Sequence, residues 1–361
     1  MFQKILNWFS IPRSNDDDLL GDAKTEWMTG KLNLDFDHGK FNKKNIFNNL
    51  SKTSDYGFYY WPYGYLFRHF KWGNVNELGF RCKDDFYNIN EKFKSHYKIG
   101  FFGGSTGFDV TVKDEDTIVN QLENKLNNNQ ELVKKFGNFK IINFSQPGNL
   151  VINQILNFIQ FGSIIDLKLV ISHSFCNDVG TGIINDPKIL KNYKLGYVDI
   201  CEPWARKIHE SRDVEIDLMF MNPKNQNFKK VELKTDYATV NEAYTFRLNQ
   251  FFKICDGQDI KFINGIMPFI FSKKKNSNAE LDMIKNYNPY YSNVYKVMPI
   301  IYENFFEKHF QKISKINTVN HHKNFSGLQD DDTHFDDVVH LNKNGNELVS
   351  EMYYQKILNI I

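Results

Sequence analysis

The run Ile99-Gly100-Phe101-Phe102-Gly103-Gly104-Ser105-Thr106-Gly107 constrains this chain more than any other stretch. Residues 99–102 are apolar and read as a buried strand. The strand stops in two glycines, where the backbone can turn in ways that a Cβ would block. A serine follows at once. In an open α/β sheet, ligands bind beyond the carboxyl ends of the strands, so Ser105 is expected on that rim. A serine there gains chemistry when the rest of the chain supplies a base, an orienter for the base and donors for an oxyanion.

From Lys98 onward, strand patterns alternate with helix patterns, which predicts a parallel sheet. Strands are expected over 99–102, 140–144, 167–172 and 260–267. Helices are expected over 117–126, 150–161, 237–254, 297–313 and 344–357. The first has Ile118, Leu122 and Leu126 at i, i+4, i+8. Asn149, after Pro147-Gly148, is placed to cap the second. Residues 108–112 read as extended, and 180–236 as polar loops and an insertion. Residues 320–336 read as a loop carrying His321, His322, His334 and Asp330-Asp331-Asp332. Residues 1–95 show weak periodicity and form an irregular, aromatic-rich N-terminal accessory region, leaving 96–361 as the main domain. The aromatics of residues 56–72 are expected to cover a sheet or seam, or to stack on sugars.

Composition narrows the function. The 361 residues carry a net charge of +2, without the basic excess of a dedicated nucleic-acid binder. Cys82, Cys176, Cys201 and Cys255 show no zinc spacing and read as reduced thiols. No metal or other cofactor is expected, and the histidines and aspartates of 320–336 read as a solvated loop. No apolar run approaches the ~18 residues of a membrane span. The start lacks a basic n-region and a long apolar h-region, so the expected location is cytoplasmic. Phe2, Ile5, Leu6 and Phe9 can share one helical face, expected to pack on the body.

Four polar signals lie at or beyond strand ends: Ser105, the Gly148 turn, Asn177-Asp178, and Asp337 with His340 just before the last helix. His340 can take the Ser105 proton. Asp337, three residues back, can hold the tautomer that turns Nε2 toward Ser105. The backbone N–H groups of Ser105 and Gly148 and the Asn177 amide can bind an oxyanion. Thr106 and Asp178, beside these residues, are candidate substrate-binding groups.

The sequence resembles the SGNH (GDSL-type) hydrolases, in the branch with a Gly-Gly-Ser-Thr nucleophile block. Phe102-Gly103-Gly104-Ser105-Thr106 is similar to block I, Asn143 through Pro147-Gly148 to Gln154 to block II, and Asn177-Asp178 to block III. Asp114-Glu115-Asp116-Thr117 is similar to the acidic helix start after block I. Asp337-Val338-Val339-His340-Leu341-Asn342 with Gly345-Asn346 is similar to block V and is the most specific match. The likeness runs from about Asn76 to the C-terminus. It implies a three-layer α/β/α, flavodoxin-like fold. It also implies ester hydrolysis by Ser105, His340 and Asp337, with Gly148 and Asn177 in the oxyanion hole. Gly104 stands where the GDS form has aspartate, and Ser145 and Phe175 stand where blocks II and III have glycine. Phe175 is expected to crowd the oxyanion side.

The expected substrate is a short acyl ester, most simply acetyl, on a carbohydrate. The alternatives are an acyltransferase with the same triad and a non-catalytic glycan-binding protein of the same fold. A nucleotide-binding loop is disfavoured: Gly100, Gly103 and Gly107 are not spaced as GxGxxG, and no acidic residue closes the second strand.

Overall fold

The computed structural model describes residues 56–61, 64–70, 73–76, 78–184, 237–286, 289–328 and 332–361. The Phe2–Phe9 face, most of the expected insertion, Cys201, Asp330 and Asp331 lie outside the described residues.

Five parallel strands form the central sheet: β3 (Tyr97–Gly103), β4 (Phe139–Asn143), β5 (Leu169–Ser174), β6 (Lys261–Ile266) and β7 (Asn317–Asn320), in the order β4-β3-β5-β6-β7. This is the flavodoxin-like doubly wound order, which steps outward from its first strand to one side and then crosses to the other. The switch point falls at the carboxyl end of β3, where Gly103-Gly104-Ser105 emerges.

Helices cover both faces of the sheet. One is covered by α3 (Ile118–Asn128) and α11 (Lys343–Leu358); the other by α5 (Val151–Gln160), α7 (Tyr237–Asp256) and α9 (Pro289–Lys308). Between them come the short α1 (Ile89–Lys92), α2 (Ser105–Phe108), α4 (Gln130–Phe136), α6 (Cys176–Ile184), α8 (Asn278–Asn286) and α10 (His321–Ser326). Successive residues of β3 face opposite layers, so both must be apolar. Phe101 sets its ring edge against Tyr353 of α11, centroids 5.8 Å apart. Phe102 stacks on Phe144 at 4.6 Å and meets Phe251 of α7 at 5.5 Å. Each such fully buried side chain contributes about 1.5–3 kcal/mol relative to exposure. Two caps begin the helices on the first face. The Thr117 side chain accepts from the Asn120 N–H, and the Asn342 side chain accepts from the Gly345 N–H.

The core includes part of the N-terminal region. Phe80, Phe86 and Ile89 are buried, and Phe80 lies edge-on to Phe144 and Phe161, each at 5.2 Å. The region is not wholly irregular. β1 (Tyr56–Trp61) and β2 (Gly64–Phe70) pair as an antiparallel hairpin in which Trp61 faces Gly64. The β preference of aromatics accounts for a ribbon where no helical period exists.

Other segments also depart from expectation. Residues 108–112 do not run on as a strand. Ser105 opens the single turn of α2, and Asp109 closes it at φ 63°. The loop expected over 320–336 contains α10. The edge strand β7, with Val319 as its sole large apolar residue, has no strand signature in sequence. No helix among the described residues is long and apolar enough to cross a membrane.

Candidate active site

Gly104 leaves β3 in extended geometry and accepts the N–H groups of Gly107 and Phe108 through its carbonyl. Ser105 is thus the first residue of α2, where its own N–H has no partner within the helix. A guanidinium fixes the far end of this turn. Arg81 Nη1 donates to the carbonyls of Phe108, at 2.9 Å, and Asp109. Its Nη2 donates to Val112 O at 2.7 Å, and its Nε pairs with Asp114 Oδ1 at 2.9 Å. The positive fork sits where helix carbonyls lack partners, as the helix dipole favours. Asp109 turns its carboxylate inward to accept the Ile118 N–H at 2.8 Å. Burial pushes that carboxyl up to about 7, against the pull of Arg81.

The second half arrives from the far end of the chain. Asp337 Oδ1 accepts the N–H groups of Val339 and His340, both at 2.7 Å, which curls the loop back on itself. Its Oδ2 lies 2.6 Å from His340 Nδ1, and His340 Nε2 lies 2.8 Å from Ser105 Oγ. With Nδ1–H donating to the carboxylate, the Nε2 lone pair faces the hydroxyl proton. Burial opposes charge on both partners, yet their mutual attraction prevails. The Asp337 carboxyl is held down to about 2 by the His340 charge, its ring N–H and the two backbone donors. The His340 imidazole is raised above its ordinary value by Asp337. His334, equally near Asp337 in sequence, is elsewhere: its Nδ1 accepts from Lys273 Nζ at 3.1 Å.

Two other segments border Ser105. Gln146-Pro147-Gly148-Asn149 is a turn closed by Asn149 N–H to Gln146 O at 3.1 Å, with Gly148 at φ 76°. Proline second and a positive-φ glycine third make it type II. Gln146 N–H donates to Gly103 O at 3.1 Å, which docks the turn on the end of β3. Asn177, in the first turn of α6, donates its Nδ2 to Asn149 O at 3.1 Å. Gly104 lies alongside: a Cβ built on it would meet Asn177 Nδ2 at 2.2 Å. Ser105, His340, Asp337 and Asn177 are therefore brought together, with the Gly148 turn beside them.

One expectation needs correction. Phe175 does not crowd this side. It adopts φ 96° and sends its ring into the helical layer, 4.6 Å from Tyr244, 4.5 Å from Tyr302 and 4.7 Å from Phe305. Thr106 is buried with its hydroxyl on Met267 Sδ at 3.3 Å. Asp178 is buried too, accepting the Val151 N–H at the start of α5 at 3.1 Å, and burial pushes its carboxyl up to about 7. A short polar side chain beside a helix start is drawn to cap it.

His321 and His322 are not a solvated pair. His321 is buried with Nδ1 on Met352 Sδ, and His322 Nδ1 lies 2.7 Å from Ser272 Oγ. Among the described residues no three His, Cys, Asp or Glu side chains cluster as a metal site needs. Arg81 and Asp109, which hold the turn after Ser105, were not legible as site residues. The signal nearest to one was the turn-like Asn76–Arg81 segment.

No protein-family model and no curated protein matches the chain. Solved structures similar to it include an acetyl xylan esterase, at 15% identity and TM-score 0.40, covering 73% of this chain and 100% of that one. An acetyl xylan esterase from Geobacillus stearothermophilus is 12% identical, TM-score 0.39, covering 73% of this chain and 95% of its own. A GDSL-like lipase from Bacteroides thetaiotaomicron is 12% identical, TM-score 0.39, covering 76% and 98%.

Proposed function

We propose that this chain is a serine ester hydrolase of the SGNH type that removes short acyl groups, acetyl above all, from a carbohydrate. One observation carries the reading: the continuous hydrogen-bond chain from Asp337 through His340 to Ser105, 2.6 and 2.8 Å long, at the carboxyl end of the switch-point strand. In this reading His340 Nε2 takes the proton as Ser105 Oγ attacks the ester carbonyl. The Ser105 and Gly148 N–H groups and the Asn177 amide meet the developing oxyanion. A primary amide has two N–H bonds, so Asn177 can hold Asn149 O with one and offer the other. Collapse of the tetrahedral species expels the alcohol with the proton from His340. Water, activated the same way, then releases the acid from Ser105.

The short acyl group and the sugar are supported by sequence. No long apolar stretch offers a lipid tunnel, and residues 56–72 are rich in aromatics that suit sugar rings. Crowding by Phe175 gives no support, because its ring points away.

The test is labelling with a fluorophosphonate, read by intact mass and peptide mapping. One adduct on Ser105, absent from Ser105→Ala, is expected. A chain that is unlabelled and inert toward p-nitrophenyl acetate would refute the proposal. Rates on acetate, butyrate and octanoate esters, then acetate release from acetylated oligosaccharides, test the substrate. Release of the leaving alcohol without matching acetate, with the acyl group recovered on an added sugar acceptor, would mark a transferase.

A further inference from the structure

Behind the loop that carries Asp337 and His340 lies a pair of charges that meets neither solvent nor Ser105. Lys273 Nζ and Glu280 Oε2 are 2.8 Å apart, and both side chains are fully buried. Lys273 follows β6 and a short 3-10 turn (Ile270–Ser272); Glu280 lies in the first turn of α8.

All three Lys273 protons are directed: to Glu280, to Asp332 O at 2.6 Å and to His334 Nδ1 at 3.1 Å. Glu280 is as fully used. Its Oε1 accepts the His334 N–H at 2.8 Å, and its Oε2 also accepts the Ser277 N–H at 2.9 Å. The return leg of the loop is tied to the same point. Asn342 N–H donates to His334 O at 3.0 Å, and Asn342 Nδ2 donates to Thr333 O at 2.8 Å. Thr333 Oγ1 in turn lies 2.8 Å from Ser277 Oγ. At the tip, Ile270 N–H donates to Val338 O at 2.9 Å, between Asp337 and His340. The outgoing leg and the tip of residues 332–342 are therefore bonded to residues 270–280, and the return leg is bonded to the outgoing one.

A buried ion pair is a poor way to gain stability, because apolar residues of the same volume often serve as well or better. What it supplies is direction. Its remaining hydrogen bonds are satisfied in one register of the loop: a slipped loop would leave Lys273 and Glu280 paired with each other but without Asp332 O and the His334 groups, so that buried polar atoms lose their partners.

We propose that Lys273 and Glu280 are positioning residues that fix the register of the loop 332–342, so that His340 Nε2 is held against Ser105 Oγ. This rests on the esterase reading, in which a base displaced by about 1 Å can cost on the order of 100-fold in rate.

Lys273→Met tests it. Turnover of p-nitrophenyl acetate is expected to fall about 10- to 100-fold with KM nearly unchanged, because the loop acts on the reacting atoms and not on substrate affinity. Fluorophosphonate labelling of Ser105 should slow by a similar factor. Lys273→Met/Glu280→Met removes both charges, so no single ion is left stranded if Lys273→Met fails to fold. The double variant is expected to melt near the parent and remain slow. A folded single or double variant with parental turnover and labelling overturns the proposal. Hydrogen exchange on the parent chain tests the same coupling without any substitution. The amides of His334 and His340 should open together with matched protection. A His340 amide exchanging orders of magnitude faster than that of His334 also overturns it. A parent chain that neither labels nor hydrolyses, yet shows coupled protection, would fail the esterase reading alone.

Discussion

The amide nitrogen of Asn177 stands 2.2 Å from where a β-carbon on Gly104 would be. The position before Ser105 and the Asn177 side chain thus compete for one space. Gly104 is needed for this close approach, since its backbone is in ordinary extended geometry. Gly104→Ala is expected to displace the amide and lower kcat by about 100-fold, as losing one oxyanion donor does. Asn177→Ala should cost about the same. The double variant should cost no more than either single one, because both remove the same interaction. Additive losses in steady-state kinetics would separate the two residues.

The pH profile should report the His340–Asp337 pair. Only neutral imidazole accepts the serine proton, so kcat/KM is expected to rise with pH. Its midpoint should lie above the ordinary histidine value of about 6.5, because Asp337 raises His340. Asp337→Asn removes that charge while the opposing burial stays, so the midpoint should drop along with the rate. Stability follows the same pair. His340 is raised on folding, so its contribution is present at low pH and is lost as pH climbs through the folded value. Asp337 is depressed to about 2, so its contribution is present above the ordinary carboxylate range and fades as pH falls from about 4 toward about 2. Melting temperatures across pH check both signs.

Arg81 should matter to the turn that carries Ser105 without touching Ser105. Its side chain is 2% exposed and supplies hydrogen bonds to the segment that follows Ser105. Arg81→Met leaves carbonyls unbonded and Asp114 without its guanidinium. Each buried carbonyl so left costs about 1–3 kcal/mol. Urea unfolding should show this loss. Arg81→Lys should recover little of it, since an ammonium cannot reproduce the planar fork.

Phe175→Gly isolates backbone strain from packing. Glycine suits φ 96°, and relief of the strain contributes about 1–3 kcal/mol. Losing a ring buried among Tyr244, Tyr302 and Phe305 costs about 3–5 kcal/mol. The variant is therefore expected to melt lower than the parent, with turnover of a short ester close to parental where it is folded. A large gain in turnover would put the ring back near the oxyanion.

What could be read in advance follows from the range of each signal. β3 and the long helices carry their periodicity within a few residues, and Asp337 with His340 sits in one short motif. β7 is too short and too polar to show as a strand, and its place comes from pairing with β6. Thr106 and Asp178 were placed by adjacency to reactive neighbours, but adjacency does not say which way a side chain turns. Lys273 and Glu280 look like any surface charges in sequence. Only their burial against a loop more than fifty positions away gives them meaning.

Ser105 and His340 stand 235 positions apart. During synthesis Ser105 is made well before His340. A growing chain can pair β3 with β4 and β5 and still hold an unarmed hydroxyl. In the proposed esterase, the serine becomes a nucleophile only once the segment carrying Asp337, His340 and α11 has docked against α3 and the sheet. The same order runs backward under stress: if the last helix frays first, the serine is disarmed while the sheet persists, and redocking restores it. Loss of activity ahead of loss of β structure on heating would be the mark of that sequence of events.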